Sequence, residues 1–487
     1  MSKKLAHLEP KALWNIFEDF CNIPHPSKKE ARIVEYVRKF AENLGLETII
    51  DHAGNVIIRK PATPGMENRM GIILQGHLDM VPQKNNDTVH DFDNDPIRPV
   101  VDGDWVKASG TTLGADNGIG AAAALAALAE KNLKHGPLEV LLTIEEETGL
   151  TGARKLQPGM LKGDLLINLD SEDEGELYIG CAGGIDTVAT FAYKEVAVPA
   201  GHVAYRVEVK GLKGGHSGLD INLGRGNANK ILNRALWLAG REYAMELASI
   251  SGGTLRNAIP REATAVVTVP KTNAGKFESW ITSLEAIVRK EYGDIEPNFS
   301  LKAAQVENPA FVIDRKTAAN LMNAIYACPN GPMRMIGDMP EVVETSTNLA
   351  IVKSENGSIE VASLQRSSVD SAKDDLGYML LTVFEMAGAG VIQSGSYPGW
   401  KPNLSSPILK VMKEVYRNKF GKTPEQKVIH AGLECGIISG AYPNLDLISF
   451  GPTIKHPHSP DEKVNIPTVV LFYEFLIETL KNAPLKA

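Results

Sequence analysis

Apolar positions fall along this chain in two rhythms, and the switches between them mark out its elements. Ile33, Val34, Val37, Phe40, Ala41 and Leu44 recur at helical spacing, which predicts an amphipathic helix. Ser27-Lys28-Lys29-Glu30 reads as a capping box ahead of it, and Gly45 closes it. Residues 48–51 and 55–59 flank Ala53-Gly54 and predict a hairpin. In Gly71-Ile72-Ile73-Leu74-Gln75-Gly76-His77-Leu78-Asp79-Met80 an apolar strand segment runs into a glycine, and a strand covered on both faces of a parallel sheet reads as an apolar run. Residues 138–144 and 164–170 repeat that pattern. The polar stretch 83–105, rich in Asn, Asp and Pro, predicts an ordered loop over a site. Ala121 to Glu130 is almost pure helix former.

After Cys181-Ala182-Gly183-Gly184 the texture changes. Strands are predicted at 204–209, 254–257, 263–269 and 298–303, and within 347–353 and 359–366. Helices are predicted at 227–242, 276–292, 314–327 and 371–387. This reads as an antiparallel α+β segment inserted into the first domain. Its element order suits two copies of a strand–helix–strand unit, although no clear sequence repeat accompanies it. From Tyr397-Pro398-Gly399-Trp400 the first texture returns, with a helix at 407–420 that opens on proline. Short strands at 428–430 and 447–450 and a closing helix at 468–481 follow. The expected fold is α/β: a mixed central sheet flanked by helices over residues 1–183 and 397–487, interrupted by an α+β domain over 184–396.

Composition narrows the class. At 487 residues, two large domains are plausible. The net charge of −8 and the lack of a basic stripe exclude a nucleic-acid partner. Cys21, Cys181, Cys328 and Cys435 are scattered without CxxC spacing, which points to a reducing cytoplasm rather than a disulfide framework. Glu9 and Pro10 interrupt any apolar signal core at the start. No apolar run is long enough to span a membrane.

Chemistry gathers at the ends of the apolar strands. His77 and Asp79, two apart on extended chain, point the same way, and a metal-binding imidazole usually donates its other N–H to a carboxylate. Asp116 stands at the start of the alanine-rich helix in Thr111-Thr112-Leu113-Gly114-Ala115-Asp116-Asn117-Gly118. Residues 138–144 end on Glu145-Glu146-Glu147, and 164–170 end on Asp170. His458 lies between prolines in a stiff loop, whereas His456 reads as solvent-facing. Singly these are a capped loop histidine, an N-cap aspartate and solvated carboxylates. Converging, they read as a metal site. Glu434, after His430-Ala431-Gly432-Leu433, is a further candidate for the cleft, with no role assigned.

In this order along the chain, His77-x-Asp79, Asp116-Asn117-Gly118, Glu146-Glu147-x-Gly149, Asp170 and His458 resemble the di-zinc exopeptidases, the family of glutamate-type carboxypeptidases, aminoacylases and cytosolic dipeptidases. Within it, Gln83-Lys84-Asn85-Asn86-Asp87-Thr88, Gly211-Leu212-Lys213-Gly214-Gly215-His216-Ser217-Gly218, Arg256-Asn257-Ala258-Ile259-Pro260-Arg261-Glu262 and Pro457-His458-Ser459-Pro460-Asp461-Glu462 resemble the bacterial Xaa-His (beta-alanyl-histidine) dipeptidase branch. The resemblance covers essentially the whole chain. Glu145-Glu146-Glu147-Thr148 departs from the Thr-Glu-Glu-Ala of that pattern, and Gly149 favours Glu146 and Glu147 as the pair.

The resemblance implies two zinc ions, replaceable by cobalt or manganese, bridged by Asp116 and a water. His77 and Asp170 would complete one site, and Glu147 and His458 the other. Two such metals about 3.5–4 Å apart hold a hydroxide at neutral pH and polarise a carbonyl. Glu146 would be the general base and Asp79 the partner behind His77. His216 would bond the developing oxyanion, and Asn257 and Arg366 would hold the carboxylate of a small peptide substrate. The Asp116-Asn117 peptide bond is expected to be cis. The implied activity is hydrolysis of dipeptides, Xaa-His included, in the cytoplasm. The alternatives are a related tripeptidase or an N-acyl amino-acid deacylase and, from another class, a catalytically inactive metal-binding protein, against which an intact Glu146 argues. The inserted domain would be a lid hinged near Gly183-Gly184 and Gly395, and its strand edges would pair two copies as a homodimer.

Overall fold

The computed structural model describes residues 3–486. The chain forms two compact units. The first holds Met1–Gly180, Trp400–Val428 and Leu433–Ala487, and the second holds Cys181–Gly399 with the short segment Ile429–Gly432.

An eight-stranded sheet organises the first unit, in the order Glu47–Ile50, Val56–Lys60, Leu138–Thr143, Ile72–His77, Leu165–Asn168, Asp446–Ser449, Glu176–Cys181, Glu425–Ile429. The four middle strands run parallel. Antiparallel pairs flank them, including the expected hairpin with Glu47 opposite Arg59. Every residue of Ile72–His77 and Leu138–Thr143 is buried, which is why these segments are mainly apolar rather than alternating. Against them lies the helix Ala115–Ala129, apolar on all sides and buried almost throughout. A helix at Lys11–Cys21 buries Trp14, Phe17 and Phe20, each worth about 1.5–3 kcal/mol of burial. The Phe17 ring packs closely over Gly118, where a Cβ would stand 3.0 Å from it. That helix, and those at Thr151–Lys155 and Glu434–Ala441, arise where the pattern predicted none.

The stretch 83–105 is mostly irregular, but its end forms the hairpin Pro99–Asp102 and Trp105–Ala108. That hairpin pairs onward to Lys463–Asn465 and Ile454–Lys455, so part of the expected loop is a small sheet beside the His458 segment.

The second unit is built on an antiparallel sheet in the order Ser300–Val306, His202–Lys210, Ala263–Pro270, Glu246–Gly252, Met339–Glu355, Ser358–Ser367, Gly183–Ala192, Gly390–Tyr397. Gly331–Ile336 pairs with the free half of the long strand Met339–Glu355. Four helices, Ala228–Glu242, Ala274–Tyr292, Arg315–Ala327 and Asp370–Met386, share one apolar core with the sheet. The strand expected at 254–257 is a turn, and the strand lies just before it, at Glu246–Gly252. Gly253 causes the difference: it has φ +72°, and a Cβ there would meet the Ala350 carbonyl oxygen at 1.8 Å, so the chain must turn out of the sheet at a glycine. No helix among the described residues is long and apolar enough to cross a membrane.

Candidate metal centre

The parallel strands of the first unit deliver their functional residues at their carboxyl ends, where ligands gather in open sheets. Ile72–His77 ends on His77 and continues to Asp79, Leu138–Thr143 leads to Glu146 and Glu147, and Leu165–Asn168 leads to Asp170. Asp116 enters at the first turn of Ala115–Ala129, where it and Asn117 depart from helical φ/ψ. The bond joining them is cis, as the resemblance implied. His458 comes from the loop before Lys463–Asn465 and has φ +59°; it and His456 are both exposed.

Close approach of these strands depends on Asn117. Its side-chain oxygen accepts the backbone N–H of His77 at 3.3 Å, and its amide donates to the Leu169 carbonyl at 2.7 Å. A Cβ on Gly76 would stand 2.2 Å from that oxygen, so only glycine can precede His77. One side chain therefore fixes the segments that carry His77, Asp116 and Asp170.

Asp116 splits its carboxylate between two imidazoles. Oδ1 lies 3.2 Å from Nε2 of His77, and Oδ2 lies 3.2 Å from Nε2 of His458. His77 Nε2 is also 3.4 Å from Asp170 Oδ1, and His458 Nε2 is 3.0 Å from Glu147 Oε2. Ligand atoms of His77, Asp116 and Asp170 lie within 4.8 Å of one another, as do those of Asp116, Glu147 and His458, and those of His77, Glu146 and Glu147. Behind His77, the nearest partner of Nδ1 is the Asp79 backbone carbonyl at 3.0 Å, with the Asp79 carboxylate at 3.4 Å. A proton on Nδ1 leaves Nε2 free to ligate.

Asp79 anchors more than the histidine. Its Oδ1 accepts the Glu146 N–H at 2.9 Å, its Oδ2 accepts the Glu147 N–H at 3.2 Å, and Ser27 Oγ donates to Oδ2 at 2.8 Å. This corrects the capping-box reading of Ser27 to Glu30. Ser27 serves Asp79, and Glu30 accepts the N–H groups of Lys28 and Glu145 at 2.7 and 3.1 Å. The helix itself starts at Ala31 with no side-chain cap.

Acidic charge outweighs basic charge here. Burial pulls His77 down, yet Asp170, Asp116 and Asp79 together hold it well above its ordinary value. Hydrogen bonds to Asp116 and Glu147 push His458 up to about 11. Burial drives Glu146 up to about 8, opposed by His77 and reinforced by Glu434, Glu147 and Asp116. Burial likewise lifts Glu434 to about 7. Its Oε2 is held by Gln75 at 2.6 Å and Thr143 at 2.8 Å. Glu147 Oε1 is buried without a hydrogen-bond partner, and such an acceptor costs about 1–3 kcal/mol unless something cationic meets it; Asp170 Oδ1 has the 3.4 Å contact to His77 Nε2. Clustered carboxylates, two imidazoles and an orphaned oxygen fit divalent cations.

The other three candidates lie in the second unit. His216 sits in the two-residue strand Gly215–His216, paired with Ala258–Ile259. Its Nδ1 accepts the N–H groups of Gly218 at 3.2 Å and Leu219 at 3.0 Å, so Nε2 carries the proton. Burial, then the charge of Arg366, keep the ring below its ordinary pKa. Arg366 is 5 % exposed, donates from Nη1 to Tyr397 Oη at 3.0 Å, and leaves Nε without a partner. Asn257 is exposed, and its carbonyl accepts the Ser217 N–H at 2.8 Å. Sequence reasoning missed His430, whose Nε2 is 2.7 Å from Ser346 Oγ and which the charges of Arg366 and His216 reach. It also missed Asn117 and Glu462. Glu462 stood in the Pro457–Glu462 stretch that carries the resemblance, four residues after His458, with no role assigned to it.

Residues 73–482 match the profile of Peptidase family M20/M25/M40. The cytosol non-specific dipeptidase of Escherichia coli (strain K12) is 48% identical over 483 residues, covering 99% of this chain and 100% of that protein. The crystal structure of aminoacylhistidine dipeptidase from Vibrio alginolyticus superposes with a TM-score of 0.96 at 49% identity, over 100% of this chain and 99% of that one. A tripeptidase from Staphylococcus aureus shares the fold, with a TM-score of 0.56 at 17% identity over 97% of this chain and 98% of that one.

Proposed function

The chain belongs to peptidase family M20/M25/M40, and from that premise we propose that it is a cytoplasmic dipeptidase that uses two divalent cations and accepts Xaa-His dipeptides. One observation carries the reading: the two oxygens of Asp116 face two separate imidazoles, each with a further carboxylate beside it. His77 and Asp170 would hold one cation, Glu147 and His458 the other, with Asp116 between them. Imidazole and carboxylate donors suit zinc, and cobalt or manganese could replace it. Bound there, the cations would polarise the scissile carbonyl and make water acidic enough to attack at neutral pH.

The chain's own residues do the rest. Glu146 takes the proton of the attacking water and returns it to the leaving amine. Its carboxyl, raised by burial and then by its acidic neighbours, can both accept and release that proton near neutrality once cations offset part of the acidic charge. Asp79 fixes the backbone of Glu146 and Glu147 and orients His77. From the second unit, His216 offers a neutral ring with its proton on Nε2, the form needed to bond a carbonyl oxygen as it gains charge. Arg366, with its open Nε, pairs with the substrate's terminal carboxylate, and Asn257 supports it. Such a pairing limits substrates to short peptides with a free carboxyl end.

Two copies would associate through the second unit. Gly390–Tyr397 is a terminal strand of its sheet, with Ile392 69% exposed, and Met379 and Met386 on the neighbouring helix are 46% and 85% exposed. Terminal strands with exposed apolar residues are pairing surfaces. The mass in solution at micromolar concentration tests this, and a monomer would count against it.

A panel of dipeptides, tripeptides and N-acyl amino acids, assayed with and without a chelator, tests the main reading. Dipeptides should be cleaved best, the chelator should abolish turnover, and Glu146→Ala should lower kcat by about two to four orders of magnitude. Metal-loaded wild type that leaves every dipeptide intact would overturn it.

A further inference from the structure

We infer that Glu462 is a positioning residue for this metal centre: its carboxylate presets the backbone of Asp116 and ties it to the loop that carries His458. The inference rests on the two-cation reading above and adds a residue to it.

Glu462 is 2% exposed, and each of its oxygens accepts two backbone N–H groups. Oε2 takes those of Leu113 at 2.7 Å and Gly114 at 3.0 Å, and Oε1 takes those of Ala115 at 2.7 Å and Asp116 at 3.2 Å. Four consecutive donors thus converge on one carboxylate. Leu113 and Gly114 lead into the helix Ala115–Ala129, and Ala115 and Asp116 open it, where N–H groups have no partner within the helix and negative charge is favoured. Ordinarily a nearby residue supplies such a cap. Here it comes from 346 residues away, counting to Asp116, and from the same turn as a metal-ligand candidate. The turn is short and stiff: His458 lies between prolines, and the Glu462 N–H donates to the Ser459 carbonyl at 2.9 Å.

These contacts close a ring. Glu462 holds the Asp116 backbone, the Asp116 side chain meets His458 at 3.2 Å, and four residues of rigid loop return to Glu462. A backbone set in advance by Glu462 holds the Asp116 carboxylate where two cations can share it, with no reordering left for the cations to drive. Gly114 shows how tightly the segment is built: it has φ +72°, and a Cβ there would stand 3.1 Å from the Met80 sulfur.

Glu462→Gln keeps the shape but replaces one acceptor oxygen with an NH2 group that faces two backbone donors. Glu139→Gln is the control. Its carboxylate also binds backbone N–H groups, those of Lys162 and Gly163 at 2.8 and 2.7 Å, but Glu139 sits at the amino end of its strand, away from the ligands. Metal-free wild type and both variants are titrated with zinc against a chromophoric chelator, at a temperature where circular dichroism shows each to be folded. Loss of a supporting partner typically weakens metal binding 10–100-fold, so Glu462→Gln should bind zinc that much more weakly while Glu139→Gln binds like wild type. Unchanged zinc affinity in folded Glu462→Gln overturns the inference alone. Wild type that takes up no zinc overturns the two-cation reading itself.

Hydrogen exchange on wild type keeps the question open to refutation even if Glu462→Gln fails to fold. The amides of Leu113, Gly114, Ala115 and Asp116 should be protected in metal-free protein. If they exchange freely until zinc is added, the metal organises the segment and Glu462 does not.

Discussion

Oδ2 of Asp116 lies 3.2 Å from Nε2 of His458, a contact that spans 342 residues of chain. The other oxygen of the same carboxylate faces His77, so removing Asp116 should weaken two cation sites rather than one. Asp116→Ala is expected to lower the occupancy of both ions when metal per chain is measured by mass spectrometry. Two ions per chain in that variant would refute the bridging role.

Arg366 is buried with an open donor. A charged hydrogen bond to the substrate carboxylate is worth roughly 1.5–3 kcal/mol, or about one to two orders of magnitude in kcat/KM. Arg366→Ala should lose that much, and wild type should cleave amidated dipeptides poorly while the variant discriminates less. Equal turnover of free and amidated dipeptides by wild type would rule the role out.

His430 predicts a dependence of stability on pH. Burial drives its ring down to about 3, with Arg366 and His216 adding to the shift, whereas an unfolded histidine titrates near ~6.5. Between those values the unfolded chain binds a proton that the folded chain refuses, so stability falls as pH falls below ~6.5. The expected slope from this group is about 1.4 kcal/mol per pH unit. His430→Asn removes it, and denaturant unfolding between roughly pH 6 and pH 4 should show a shallower loss of stability than wild type. Parallel curves would mean that the folded state tolerates the charge.

Much of the centre could be read in the sequence because its residues stand where strands end. Apolar runs that stop at His77, Glu146 and Asp170 mark the carboxyl edge of a parallel sheet before any contact is known, and local spacing alone pairs His77 with Asp79. Contacts between distant segments left no such trace. Glu462 reaches Leu113 across 349 residues, and Ser27 looked like a helix cap because its true partner, Asp79, is 52 residues on. In the second unit, the turn at 254–257 was mistaken for a strand because the close approach that forces Gly253 to turn comes from Ala350. His430 passed unnoticed for a similar reason: the segment Ile429–Gly432 packs with the second unit, although sequence on both sides of it belongs to the first.

The most direct test is a zinc titration of the metal-free protein, with bound metal and hydrolysis of an Xaa-His dipeptide followed together. Activity should rise with occupancy and level off at two ions per chain. Full activity in the metal-free protein, or saturation at one ion per chain, would contradict the shared Asp116 centre.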